Sequence, residues 1–283
     1  MSAPLTCLAP AKLNLFLHVV GRRPDGYHLL QTAFRMLDWG DELTFQVRND
    51  GLVRRLSVLE GVPEEEDLVV RAARLLQATQ GVTQGVDITV TKRLPMGGGL
   101  GGGSSDAATV LLALNRLWGL NLSRLALQAL GLRLGADVPF FIFGESAFAE
   151  GVGEVLQPMA LPPAWYVVVA PPVSIPTAAI FAAKELTRDT CPIKIADFAA
   201  CTTRNDLEAV AKARFPEVSE VLDWLGRFGP ARMTGSGACV FLQEADEAGA
   251  DKVLGECPAR WRAWKAKGLD KHPLHDWVGS ELR

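Results

Sequence analysis

The 283-residue sequence lacks any uninterrupted apolar run of the roughly 18 residues that a membrane-spanning helix needs. It also lacks a CxxC pair. Its five cysteines, Cys7, Cys191, Cys201, Cys239 and Cys257, are scattered and odd in number. That excludes a zinc ribbon and a disulfide framework, and the expectation is free, buried thiols in a reducing compartment. Histidine is scarce. His18 and His28 lie early, and His272 and His275 lie in a proline-containing tail, where they read as surface residues rather than metal ligands. No long basic run occurs, and 29 Lys+Arg against 32 Asp+Glu give a formal charge of −3. Neither nucleic acid nor a membrane surface is therefore expected as a partner. Residues 1–9 are too short for a leader, so a cytoplasmic location is expected. The charge balance allows a monomer or a weak homodimer.

What is present suits a globular enzyme. Apolar residues make up 48% and charged residues 22%, enough for a large two-lobed domain. Residues 11–20 alternate, with Leu13, Leu15, Leu17 and Val19 on one predicted face and Lys12, Asn14, Phe16 and His18 on the other. A turn at 21–26 leads to strand-like stretches near 29–37, 43–47 and, more weakly, 52–58. After an acidic loop, Asp67 is placed to cap a helix carrying Leu68, Ala72, Leu75 and Leu76. Residues 86–91 alternate again. Helices are predicted over 105–118, from Ser123 to about Gly135, and over 177–186, 206–214, 218–225 and 246–254. Residues 140–143 and 165–170 read as buried strands, and 233–242 as a strand broken by Gly235-Ser236-Gly237. The two periods mix without a strict βαβ rhythm, which points to α+β. A lobe boundary near 155 divides the chain into 1–155 and 156–283.

The most informative segment is Pro95-Met96-Gly97-Gly98-Gly99-Leu100-Gly101-Gly102-Gly103-Ser104-Ser105-Asp106. Six of the seven residues from Gly97 to Gly103 are glycine. Without Cβ atoms, successive backbone N–H groups can converge on one anion. The helix that follows adds unpaired first-turn N–H groups and the positive end of its dipole. That is a phosphate site needing no lysine. Ser104 and Ser105 could cap the helix, hold a phosphate oxygen or reach a Mg²⁺ ion. A linker would not be flanked by a strand and a periodic helix. A Walker loop is excluded because Ser104, not Lys, follows Gly103. No acidic strand end lies about 20 residues beyond, which argues against a dinucleotide fold. Protein-kinase signatures are missing.

The second segment is Gly135-Ala136-Asp137-Val138-Pro139. Val138 precedes proline and is biased away from helical angles. Asp137 alone would read as a cap. Lys12, projecting from a largely apolar strand, needs a carboxylate partner.

With Pro10-Ala11-Lys12-Leu13-Asn14-Leu15 and Thr234-Gly235-Ser236-Gly237-Ala238, these segments resemble the ordered motifs of the GHMP kinase superfamily. The resemblance runs from about residue 7 to 278. Gly26-Tyr27-His28, 147–154 and 173–177 are similar to the branch that phosphorylates a cytidylyl sugar alcohol. It implies a two-lobed GHMP kinase fold. The N-terminal lobe would have a ribosomal-protein-S5-like β-α topology, the C-terminal lobe would be an α/β sandwich, and the site would lie in the cleft between them. It implies ATP with Mg²⁺, and the run from Pro95 to Ser105 (Pro95, Met96, Gly97, Gly98, Gly99, Leu100, Gly101, Gly102, Gly103, Ser104, Ser105) as the ATP-binding loop. Asp137 would accept the proton of the attacking hydroxyl, and Lys12 would orient that hydroxyl.

The same resemblance assigns Tyr27 and Phe181 to a clamp on cytosine, His28 to its polar edge, and Asn14 and Thr177 to the substrate site. From the residues themselves, Tyr27-His28 could equally be a hairpin tip, and Phe181 on a helix would be core. From the residues, Gly235-Ser236-Gly237 is a bulge or tight turn that opens a strand, and the resemblance implies supporting structure beside the phosphate loop. One departure stands out. Where the family has Asn-Leu at the first helix, this chain has Asp67-Leu68, and an ionised aspartate can only accept hydrogen bonds from an adenine edge. No protein ligand of Mg²⁺ is assigned. The competing readings are another GHMP kinase, of the homoserine or mevalonate type, and a catalytically silent nucleotide-binding regulator.

Overall fold

A computed structural model describes residues 3–198 and 200–278. In chain order the elements are β1 (Leu5–Arg22), β2 (His28–Arg48), β3 (Val53–Arg55), α1 (Leu68–Gln80), β4 (Gly85–Thr91) and α2 (Gly102–Leu117). Then come α3 (Arg124–Leu132), α4 (Val138–Phe143), β5 (Ala147–Glu150), β6 (Val155–Pro158), β7 (Trp165–Ala170) and α5 (Thr177–Phe181). The chain continues through α6 (Glu208–Arg214), α7 (Pro216–Leu225), β8 (Arg232–Met233), β9 (Val240–Glu244), α8 (Glu247–Gly255) and β10 (Arg262–Leu269).

The strands form one mixed sheet in the order β3-β4-β2-β10-β7-β9-β8, with β1 and β5 also paired to β2. The fold is α+β, as expected, but the lobes are not separate sheets. The 21-residue β2 pairs with β1, β4 and β5 in the N-terminal half, and its Met36 and Leu37 pair with Leu269 and Gly268 of β10. β10 then pairs with β7. One apolar cluster packs α1, α2 and α4 on the N-terminal sheet through residues such as Leu76, Leu111 and Phe140. A second gathers α5, α6, α7 and α8 around Val167, Leu207 and Val221. A third lies between them on β1 and β7. The C-terminal tail returns to the N-terminal half. His272 N donates to Gly144 O at 2.8 Å, and Arg124 donates to His275 O at 2.7 Å.

Several helix ends follow from their side chains. Asp67 caps α1 by accepting from Val69 N at 3.0 Å, Ser123 caps α3 through Ala126 N, and Asp246 caps α8 through Gly249 N. α1 ends at Gly81 in the left-handed conformation.

Elsewhere the structure corrects the sequence reading. α2 begins at Gly102, capped by the left-handed Gly101 without a side-chain bond, so Ser104 and Ser105 lie within the first turns and do not cap. Residues 138–143 are helical, not a strand. Pro139 falls in the first helical turn, where its missing N–H has no partner to lose, and a short apolar run has no period to tell helix from strand. α5 stops at Phe181 instead of reaching Leu186; single turns follow, and Arg188 takes up the carbonyls of Phe181, Ala183 and Leu186. His272 is buried, not a surface residue. Its Nδ1 accepts from Leu274 N at 3.0 Å, and burial holds its pKa down at about 3. All five cysteines are free, yet only Cys7 and Cys239 are buried, and Cys191 and Cys201 are exposed.

Candidate active site

Strand β1 supplies the first wall. Lys12 and Asn14 line a cleft of about 650 Å³, as predicted from their shared face. Phe16 and His18 do not continue that face. One extra residue between Asn14 and Leu17 bulges the strand against β2, and a one-residue slip exchanges the faces. Leu17 therefore lines the cleft, and Phe16 packs with Leu13 and Leu15.

Lys12 is 4% exposed. Its Nζ donates to Asn14 Oδ1 and stands 3.5 Å from Asp137 Oδ2. Asn14 in turn donates to Thr32 Oγ1 at 2.9 Å. Asp137 sits at the N-terminus of α4, half-buried, and its side chain makes no capping bond. Its carboxylate therefore has no role in holding the helix end and faces the cleft beside the ammonium.

The glycine run supplies the second wall. Gly97 to Gly103 and Ser104 line the cleft, with Pro95 and Met96 at its entrance. Ser105 lies fully buried behind them, and its hydroxyl has no hydrogen-bond partner among the described residues. Two glycines show why side chains are excluded. A Cβ on Gly99, at φ +75°, would fall 2.2 Å from Thr234 O. One on Gly101, at φ +72°, would press on Lys12 and Phe141 at 3.1 and 3.0 Å. The run is also tied to its neighbours. Lys12 N donates to Leu100 O at 2.9 Å, and Ala238 N and Cys239 N donate to Gly97 O and Gly98 O. Thr234 Oγ1 accepts from Asn14 N at 3.0 Å. Residues 234–239 thus splice the glycine run to β1.

The third wall carries Thr177 and Phe181 of α5, with Thr177 Oγ1 2.7 Å from Ser236 Oγ. Tyr27 and His28 do not line the cleft in this conformation. Tyr27 is 66% exposed at the tip of the β1–β2 hairpin. His28 stacks against Phe181, with ring centroids 4.9 Å apart. Its pKa is lowered by burial and then by Arg188 and Arg22.

Three further groups escaped the sequence reading. Lys92 Nζ bridges Asp41 Oδ2 and Asp106 Oδ2, the latter at 2.9 Å. Asp41 Oδ1 accepts from Arg93 N and Leu94 N at 2.6 and 2.8 Å, which fixes the chain leading into the glycine run. Burial pushes the Asp106 carboxyl up to about 7, against the opposing pull of Lys92 and with added repulsion from Asp41. Burial alone would lower the Lys92 ammonium, but its two carboxylates outweigh that and raise it. The second group is Arg55, whose Nη1 lies 2.6 Å from Asp67 Oδ2, both side chains being buried. Asp67 borders the cleft with one oxygen on Arg55 and the other on the helix cap. The third is Arg188. A lysine two residues before the glycine run's leading Leu94-Pro95, and an aspartate directly after Ser105, were the available signals for the first.

Comparison with known proteins identifies the family. Residues 67–145 match the family model described as GHMP kinases N terminal domain, and 184–263 match GHMP kinases C terminal. The chain is 69% identical over 273 residues to a protein of Aromatoleum aromaticum named 4-diphosphocytidyl-2-C-methyl-D-erythritol kinase, covering 96% of each. It is 67% identical to one of the same name from Azoarcus sp., covering 95% of each. A crystal structure of 4-(cytidine 5'-diphospho)-2C-methyl-D-erythritol kinase superposes with a TM-score of 0.81 at 37% identity, covering 93% of this chain and 99% of that one. A mevalonate kinase structure superposes at 0.72 with 15% identity, covering 95% of this chain and 100% of that one, and shares the fold. The chain belongs to the 4-diphosphocytidyl-2-C-methyl-D-erythritol kinase family of the GHMP kinases.

Proposed function

We propose that this chain transfers the γ-phosphoryl group of ATP to the 2-hydroxyl of 4-diphosphocytidyl-2-C-methyl-D-erythritol, giving the 2-phosphate and ADP. This is a step of the non-mevalonate route to isoprenoid precursors. The observation that carries the chemistry is the pairing of Lys12 Nζ with Asp137 Oδ2 at 3.5 Å in the cleft that the glycine run also lines. Asp137 accepts the proton as the hydroxyl oxygen attacks. Lys12 holds that oxygen beside the carboxylate and opposes charge developing at the transferred group. Asn14 fixes the ammonium. Phosphoryl transfer asks mainly for alignment and charge neutralisation, and the N–H groups of the loop and of the first turn of α2 provide both.

Mg²⁺ belongs with the nucleotide. Ser104 borders the cleft, and Asp106 keeps Oδ1 without a hydrogen-bond partner among the described residues. These are oxygen donors of the type a hard cation takes when phosphates fill most of its shell. The ion would supply neutralisation of the β- and γ-phosphates.

Cytosine recognition is assigned to Tyr27, His28 and Phe181, with Thr177 and Asn14 toward the sugar alcohol. Tyr27 is exposed on a hairpin tip, and His28 and Phe181 already form an aromatic surface. The soluble substrates fit a cytoplasmic enzyme, and among the described residues no helix is long and apolar enough to cross a membrane.

A coupled assay of ADP release tests the assignment. Turnover is expected with the cytidylyl substrate and not with homoserine or mevalonate. Turnover on either of the latter with none on the former would overturn it.

A further inference from the structure

Arg188 lies on no regular element, was not singled out by any sequence motif, and is half-buried. Its guanidinium nonetheless joins the two sides of the base pocket. Nε donates to His28 Nε2 at 3.1 Å. Nη2 donates to the carbonyls of Phe181 at 3.0 Å and Ala183 at 2.7 Å, and Nη1 to that of Leu186 at 3.0 Å. All three nitrogens are thereby used. These contacts satisfy carbonyls that the end of α5 leaves without helical partners and tether Arg188 beside the Phe181 ring.

The contact with His28 has a consequence for its protons. Arginine has no acceptor, so Nε can only donate. His28 Nε2 must therefore be the bare nitrogen, and the neutral ring must carry its proton on Nδ1. Among the described residues Nδ1 makes no hydrogen bond. The neighbouring Arg188 and Arg22 charges, after burial, also disfavour the doubly protonated ring. His28 is thus held as a donor through Nδ1, stacked on Phe181 at 4.9 Å.

We propose that Arg188 is a positioning residue that sets base specificity by locking His28 as the Nδ1–H tautomer. Cytosine presents acceptors at N3 and O2, beside its amino donor. Uracil carries a proton on N3. A fixed donor facing N3 matches cytosine and meets uracil's N3–H as a clash of two donors, whereas one facing O2 would accept both bases alike. The released alternative tautomer, or a rotated ring, would place an acceptor there and relax the choice. The proposal rests on the reading of a cytosine pocket at Tyr27, His28 and Phe181.

The test has two parts. In ¹⁵N NMR of the ligand-free wild type, His28 should show a bare Nε2 and a protonated Nδ1. The reverse tautomer would overturn the proposal without bearing on the pocket. In kinetics, wild type should prefer the cytidylyl substrate over its uridylyl analogue. Arg188→Met should lower that preference by roughly 10- to 100-fold, the cost of one unmade buried hydrogen bond. KM for ATP should be unchanged, and Arg188→Lys should restore part of the preference. An Arg188→Met enzyme that folds and keeps the wild-type preference overturns the role of Arg188. Should that variant not fold, the wild-type spectrum carries the decision. A wild type indifferent to the base would refute the pocket reading itself, whatever the tautomer, and the proposal with it.

Discussion

Lys12 and Asp137, one on β1 and the other at the N-terminus of α4, bring an ammonium and a carboxylate within 3.5 Å in the cleft. Neither is held there by chance of local sequence. Lys12 is fixed by Asn14 and by the backbone bond from its N–H to Leu100 O. Asp137 is fixed by a helix clamped at its far end, where Arg124 donates to Ile142 O at 2.6 Å and Phe143 O at 3.2 Å.

Asp137→Asn keeps the shape and removes the proton acceptor. The turnover number is expected to fall by about 10²- to 10⁴-fold, while calorimetry shows nucleotide affinity near wild type. Substantial turnover by this variant would sink the assignment of the base.

Gly99→Ala tests the loop. The left-handed backbone costs an L-residue roughly 1–2 kcal/mol, and the methyl would also meet Thr234 O at 2.2 Å. A lower melting temperature and a raised KM for ATP are expected together. A variant with wild-type values of both would show that the loop's path is not set by this close approach.

Arg55→Met leaves the Asp67 carboxylate buried beside a lost partner, and its side chain is only 8% exposed. Removing one member of a buried pair costs about 3–5 kcal/mol. Urea unfolding should show that loss. Adding Asp67→Asn should recover most of it, since asparagine still caps α1 and needs no counter-charge.

Asp106 predicts a pH effect of definite sign. Its pKa rises on folding from 3.8 to about 7. The folded chain therefore holds this proton more tightly than the unfolded one. The contribution to stability is complete below the unfolded value and is lost as pH rises through about 7. Asp106→Asn should flatten the decline in melting temperature between these limits. Parallel curves for the two proteins would contradict it.

The glycine run, Lys12 and the loop before α4 were legible because each is carried by a few adjacent residues with a local physical reason. The cap of α1 at Asp67 was legible for the same reason, as were the starts of α3 at Ser123 and of α8 at Asp246. The face exchange after Asn14 was not, because a bulge is set by the partner strand. Residues 138–143 were too short and too apolar for any period to show. Lys92 with Asp41 and Asp106, and Arg55 with Asp67, are pairings between distant segments. No spacing rule announces them. His272 looked exposed because a proline-containing tail suggests surface, whereas its backbone bond to Gly144 draws it in at the C-terminal end of α4.

The pairing of β10 with β2 has a consequence for how the molecule is made. The last strand completes the sheet that the first strands begin, and the tail beyond it braces the helix that carries Asp137. During vectorial synthesis the helix that carries Asp137 is made well before residues 262–275, which pair with β2 and brace its far end. A chain stopped before residue 262 would hold a finished glycine run and an Asp137-bearing helix without that brace.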